Sequence, residues 1–426
     1  MKKFVLFCFT VMAAAASMAQ DSIWIVPALP QRGARVTIYF KSEKPAFAHT
    51  KTLSGGFYSL DALNRIVAQD LAFGRSGDNW TATATVPDTA YAVVANIVRP
   101  DTDAFAAAVA AGLDSSNGTP FLKSYLALGY TYFNQTQSLG IPSDPAKGHA
   151  LFEQYWKGLP EPPSSFSAKL SWYLMAKKDT AKILNLSADL PLDSTAVETD
   201  YLMAAGLARQ LGNRPLSRLL NNICHRKYPH GEWNRFDYYN RVLAAKDTAE
   251  QWGIIREYKK AYPDERPQQS LLPAFESIMQ KQLIASGDLS GAMALIPKDA
   301  SAHDIAGEYN FLAWEACVKD LQLSLALSLS KASLDTLLAL EASGRDKPVA
   351  ETRAQYLKSL TGEYALFADT YAYLLYKTGA YKEAFAYEKK SLAASGPSPQ
   401  LDIISRYHLF MEKAEKPSKV VASLSA

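Results

Sequence analysis

The segment from Ala365 to Leu392, ALFADTYAYLLYKTGAYKEAFAYEKKSL, constrains the fold more than any other. Its apolar residues recur at helical spacing on both sides of Gly379, which predicts two helices joined by a tight turn. Ala372 and Ala384 put small side chains where the two helices cross, so their backbones can approach. Tyr381, Tyr387 and Leu392 fall on the apolar stripe of the second helix, with Glu383 and Lys390 on its wet face. A hairpin of this size cannot bury its apolar face alone and needs stacked neighbours. The C-terminal part is therefore expected to be a helical array, a form better suited to grip than to chemistry.

Weaker copies precede it. Tyr125-x-x-Leu128-Gly129-x-x-Tyr132 repeats the first-helix pattern, with a turn lengthened by the loop from Ser138 to Pro145. Asp200 to Pro229 offers Ala205, Gly212 and Ser217 at matching offsets, and Leu272 to Pro297 offers Gly287, Leu289 and Ala292. Asn310 to Leu334 is a further hairpin with Ala326 at its crossing. Together these resemble repeats of the tetratricopeptide type. Phe236 to Ala261 reads as helix out of strict register, and the tail after Gly396 as an incomplete hairpin with a frayed end.

The N-terminus has a different texture. Residues 1–19 read as a secretory signal: Lys2 and Lys3, an apolar stretch from Phe4 to Ala16 too short for a spanning helix, then Ser17-Met18-Ala19. Cleavage near Ala19 predicts a periplasmic or secreted protein with no transmembrane span after signal removal. From Ile23 to Val98 the chain is β-rich. Ile23–Val26, Arg35–Phe40, Trp80–Val86 and Tyr91–Val98 are punctuated by Pro27, Gly77-Asp78-Asn79, Pro87-Asp88 and Pro100. Asp61 to Phe73 fits either a strand pair or a short helix.

Gly33-Ala34-Arg35-Val36-Thr37-Ile38-Tyr39, then Gly77-Asp78-Asn79-Trp80 through Val86-Pro87-Asp88, then the Leu113–Gly118 loop occur in an order that carries a family likeness. The chain resembles the front part of exported TlpA-like thioredoxin-family thiol–disulfide oxidoreductases. The resemblance implies a small all-β immunoglobulin-like sandwich followed by an all-α tetratricopeptide-like array. The expected division is a signal peptide at 1–19, a sandwich at 20–120 and a helical repeat domain at 121–426. In that family a thioredoxin domain with Cys-x-x-Cys follows. No Cys-x-x-Cys occurs in these 426 residues, so the residues that would carry the activity have no counterpart here.

Other chemistry is equally sparse. The formal net charge is +3, two units of it from Lys2 and Lys3, which argues against a nucleic-acid binder. No nucleophile-elbow, zincin or P-loop pattern occurs. Cys224-His225 with His230 is a poor metal set, because adjacent helical residues point about 100° apart. Cys224 and Cys317 admit two readings: a disulfide formed on export, or two buried thiols. The second is favoured, since helical cysteines 93 positions apart rarely meet bridge geometry. Aromatic stripes in the helical part are expected to be core, and Trp233 in the loop HGEWNRF is the best single ligand-contact candidate.

Asp followed by Ser or Thr, then an aliphatic residue or Thr, places candidate O-glycosylation at Ser22, Thr89, Thr180, Ser194, Thr248 and Thr336. These six sites compare with roughly one or two expected from composition. The pattern is similar to a glycosylation signal on exported proteins of some Gram-negative bacteria, and helix capping by Asp is the competing explanation. The sequence thus predicts a non-enzymatic scaffold without cofactor or metal, whose partner is an envelope protein or peptide, a thioredoxin-like protein included. The alternatives are an accessory or truncated front part of a periplasmic oxidoreductase, or a module that binds glycan or peptide.

Overall fold

The computed structural model describes residues 21–100, 104–134, 136–263 and 270–415. The expected signal at 1–19 and the end of the tail lie outside them. The described chain is an antiparallel β region followed by a helical region, in two compact units that divide between Pro160 and Glu161.

The first unit contains β1 (Ser22–Val26), β2 (Arg35–Lys41), a short α1 (Pro45–Ala48), β3 (Thr52–Leu60), β4 (Ile66–Ser76), β5 (Asn79–Thr85), β6 (Ala92–Val98) and β7 (Phe105–Gly112). They form one antiparallel sheet in the order β1-β2-β5-β4-β3-β6-β7, which curls until β1 lies near β7. Alternation explains the inner face: Val36, Ile38 and Phe40 of β2 are fully buried, while Arg35 and Lys41 point out. They meet Phe57, Phe73, Trp80, Val93 and Ile97 in one core. The expected strands are all present, and the ambiguous stretch before Phe73 resolves as the long strand β4. The strand β7 has no clear sequence signal because FAAAVAAG is rich in alanine, a poor strand former.

Three helices complete this unit: α2 (Leu122–Asn134), α3 (Thr136–Leu139) and α4 (Pro145–Lys157). They cover the second apolar face of β3 and β6, where Tyr58, Leu60, Ala92 and Val94 pack against Ala127, Leu139 and Ile141. Asn96 crosses this layer. Its Oδ1 accepts from the Gly56 amide at 2.8 Å and its Nδ2 donates to the Leu139 carbonyl at 2.9 Å. The helix that carries Tyr125 to Tyr132 therefore packs on the sheet, and the first compact unit runs to Pro160. The reason is the sheet's own outer face, which is too apolar to be left in water.

The second unit comprises α5 (Phe166–Trp172), α6 (Thr180–Asp189), α7 (Glu198–Gln210), α8 (Arg214–Lys227), α9 (Arg235–Ala244), α10 (Thr248–Ala261), α11 (Leu272–Ala285), α12 (Leu289–Met293), α13 (Ala302–Val318), α14 (Leu323–Ser343), α15 (Arg353–Lys377), α16 (Tyr381–Ala394) and α17 (Leu401–Glu415). Four hairpins close with the same turn. Gly212, Gly287 and Gly379 have φ of +82°, +84° and +87°, and Asp320 takes the equivalent place at +55°. In each, the following amide bonds back five residues: Asn213 to Ala208, Asp288 to Leu283, Leu321 to Ala316 and Ala380 to Leu375, at 2.8–2.9 Å. The left-handed residue and this paired bonding satisfy carbonyls that a helix end leaves open.

Small residues sit at the crossings as expected: Ala205, Ala292, Ala326, Ala372 and Ala384 are buried. Glu383 and Lys390 are exposed, and Tyr381, expected on the apolar stripe, is also 40% exposed, its ring against the edge of Tyr376. The tail is more than a frayed end, because α17 docks on α16 with Ile403 and Phe410 buried. By length and composition α14 could cross a membrane. In the array Leu329, Leu334, Leu337 and Leu340 are buried, and the helix packs between α13 and α15.

Candidate functional site

Helix α11 is flanked by two grooves on different faces. Its start is compatible with Pro273 in the first turn, where a missing amide costs nothing. Its core side is anchored by Phe275, Met279 and Ile284. On one flank Ala274, Ile278 and Lys281 face Tyr239 and Leu243 of α9 across a groove of about 480 Å3. Leu243 is 54% exposed there, and the Oε1 atom of Gln282 is buried without a hydrogen-bond partner.

The other flank is acidic. Glu276, Asp299, Asp304 and Glu308 line a groove of about 360 Å3 whose apolar walls are Pro273, Leu295 and Pro297, with no lysine, arginine or histidine among the described lining residues. Gln280, 4% exposed, donates from Nε2 to Glu308 at 3.1 Å and holds that carboxylate in place. Burial pushes the Glu276 carboxyl up from its ordinary value; Lys259 pulls it back and the Glu308 charge adds to the rise. This flank is thus acidic, and the opposite one is lined mainly by apolar side chains, with Lys281 at its edge.

The residues singled out in the sequence are dispersed. Trp233 is pinned in place: its indole Nε1 donates to the Tyr228 carbonyl at 2.6 Å and its amide to Glu198 at 3.0 Å. His225 stacks on its ring with centroids 3.7 Å apart. Gly231 permits this loop to close on α7, since a β-carbon there would meet the Glu198 carboxylate at 2.2 Å. The ring is a half-buried wedge and not an open ligand platform.

Cys224 and Cys317 are both free and fully buried, in separate apolar clusters. Of the two readings, the structure has the favoured one: two packed thiols, on helices α8 and α13 of different hairpins. Burial pushes each thiol up to about 11, which leaves them inert at neutral pH. No group of three or more metal-ligating side chains occurs among the described residues.

Of the candidate glycosylation positions, Ser22, Thr89, Thr180 and Ser194 are exposed, while Thr248 and Thr336 are half-buried. Two of the preceding acids are helix caps: Asp179 accepts from the Lys182 amide and Asp247 from the Glu250 amide, each at 2.9 Å. Thr336 lies within α14 and donates its hydroxyl to the Ala332 carbonyl at 2.9 Å.

A polar cluster without a sequence signal lies in the last three helices. Glu388 of α16 is fully buried. It lies beside Asp369 of α15, which pairs with Arg406 of α17. Its closure from solvent makes it part of the scaffold. No protein-family model matches the chain, and no curated protein matches it.

Proposed function

We propose that this chain is an exported, non-enzymatic interaction protein in which an immunoglobulin-like module precedes a tetratricopeptide-like array. The array grips a polypeptide segment across α11. The observation that carries this reading is the pair of unlike grooves on one helix. An apolar side chain of the partner lies against Tyr239, Leu243 and Ile278, and a lysine or arginine enters between Glu276 and Glu308. Spacing between the two grooves then selects the sequence.

Random-peptide display on the full chain tests it. Selected peptides should pair a basic with an apolar residue. Glu276→Lys and Ile278→Asp should each weaken the best peptide at least tenfold, and Lys382→Glu on a remote exposed surface should leave it unchanged. Enrichment that persists in the Glu276→Lys, Ile278→Asp double variant would refute the assignment.

The order of the Gly33–Tyr39 and Gly77–Asp88 motifs favours one partner class, a thioredoxin-like protein of the envelope. Crosslinking of purified chain to such a domain, blocked by the selected peptide, tests that narrower reading.

A further inference from the structure

The sheet has seven strands, and every neighbouring pair in it is antiparallel. With an odd number, the two end strands β1 and β7 must run in the same direction. They curl towards each other, yet no hydrogen-bonded ladder joins them among the described residues. At one end the gap is tied shut: the amide of Asp114, just past β7, donates to the carbonyl of Pro30, past β1, at 2.8 Å. At the other end, where both strands begin, there is a groove of about 800 Å3. Asp21, Ser22 and Ile23 form one wall and Phe105 to Ala108 the other. Side chains alternate across a strand, so a wall made of consecutive residues is a strand edge and not a strand face.

We infer that this groove takes an extended, uncharged segment of another polypeptide, which enters as an eighth strand antiparallel to both β1 and β7. The edges choose the class of occupant. Along each of them, every second residue turns its amide and carbonyl away from the one strand it pairs with, and another backbone answers that pattern. Parity supplies the direction, because only a strand opposed to both neighbours keeps the whole sheet antiparallel. The side chains follow from the walls. Ala106, Ala107 and Ala108 contribute only methyl groups, and Ile23, Ala106 and Ala107 lie against the sheet's inner core, so the inward positions suit large apolar residues. The rim charges already answer each other: Lys44 pairs with Asp21 at 2.6 Å, and Asp21 also accepts from the Ser42 hydroxyl at 2.6 Å. Gly140 and Pro142 complete the described rim without a charge.

Hydrogen bonding and charge decide between occupants. An apolar small molecule would fill the space and leave the backbone groups of both edges unanswered. A charged chain would find no unpaired opposite charge among the described lining residues. A second copy of the chain could offer only its own β1 or β7, each flanked by its own sheet, and so could pair with one edge but not with both. The inference is independent of the grooves beside α11, which lie in the other unit.

Blocked heptapeptides that alternate threonine with valine, isoleucine, leucine or phenylalanine test it by calorimetry on the full chain. They carry no charge, so the acidic groove beside α11 does not select them. The best should bind saturably, one per chain, with an affinity that added salt leaves unchanged. N-methylation at either of two adjacent central residues should weaken it about tenfold or more, because adjacent residues of an inserted strand bond to opposite neighbours. The bound peptide should slow amide exchange in β1 and β7 and leave β4 unchanged. Ala107→Phe, checked for folding by circular dichroism, should also weaken binding about tenfold by filling the groove. The proposal is overturned if no heptapeptide binds, if the folded Ala107→Phe variant binds as well, or if protection falls outside β1 and β7. Sensitivity to methylation at only one of the two adjacent positions would mark addition to a single edge, and at neither would mark side-chain contact alone; each overturns it. A solution dimer that the best peptide dissolves would overturn it too, in favour of edge-to-edge self-association.

Discussion

Arg406 clasps Asp369 with two parallel hydrogen bonds, Nε to Oδ1 at 2.5 Å and Nη2 to Oδ2 at 2.7 Å. The pair joins α17 to α15 across α16, and the guanidinium also lies over the rings of Trp314 and Tyr373. Both side chains are largely buried, so removing one strands the other without water. Asp369→Ala should destabilise the helical unit by about 3–5 kcal/mol, read as a lower denaturant midpoint by circular dichroism. An unchanged midpoint would mean that Arg406 finds solvent when α17 shifts.

Glu388 gives the same cluster a pH dependence. Burial, then the Asp369 charge, pushes its carboxyl from 4.5 up to about 9, while Arg406 pulls the other way. The folded state holds this proton between those values and the unfolded chain does not. Stability from this group therefore falls as pH rises from about 5 to about 9. Glu388→Gln, neutral at every pH, should flatten the slope of unfolding free energy over that range and be more stable than wild type at pH 9. Parallel slopes for the two proteins would remove Glu388 from the account.

How much of this was readable in the sequence varies with range. The Gly379 hairpin and its weaker copies at Gly212 and Gly287 were legible, because a left-handed turn and small crossing residues are local requirements. The inward alternation of Val36, Ile38 and Phe40 was legible for the same reason. Glu388 was not: in KEAFAYEKKSL it looks like any solvated acid, and only Asp369 and Arg406, contributed by two other helices, mark its place. The grooves beside α11 are likewise assembled from α9 and from the residues before α13. The sheet's apolar second face, spread over β3 and β6, is what draws α2–α4 into the first unit.

The repeated turn makes its own prediction. Around Gly379 no atom outside its neighbours lies within 4 Å of where a β-carbon would stand, so only the backbone angle resists substitution. Gly379→Ala should cost about 1–2 kcal/mol, the left-handed penalty for an L-residue. Gly379→Asn should cost less, since asparagine tolerates that region better. Equal losses would point to packing instead of φ. Chemical denaturation of the three proteins distinguishes these outcomes.

The thiols should behave as core residues. With values near 11, Cys224 and Cys317 are ionised at pH 7 to only about one part in ten thousand, and both are closed to solvent. Iodoacetamide should label neither in the native protein within hours and both after denaturation, with no disulfide found by mass under non-reducing conditions. Rapid native labelling of Cys317 would show that the α13–α14 hairpin opens locally.

Asn96 offers the sharpest test of how the first unit is built. It is wholly buried in β6, yet polar, within a strand that otherwise reads AVVANIV. Its amide satisfies the Gly56 N–H of β3 and the Leu139 carbonyl at the end of α3, so one side chain joins the sheet to the helical cover. Replacing it with alanine leaves both backbone groups unpaired in an apolar layer, at about 1–3 kcal/mol for each buried group. Ionised, Asn96→Asp keeps an acceptor for Gly56 but loses the donor and places a carboxylate against the Leu139 carbonyl; protonated, it keeps both roles. Asn96→Ala should therefore lower the unfolding midpoint of the β unit and speed hydrogen exchange at Gly56. Asn96→Asp should protect Gly56 better than alanine does at low pH, where the acid is neutral, and lose that advantage above neutrality. If exchange at Gly56 is unchanged in Asn96→Ala, the helical cover is held by Tyr58, Leu60 and Ile141 alone.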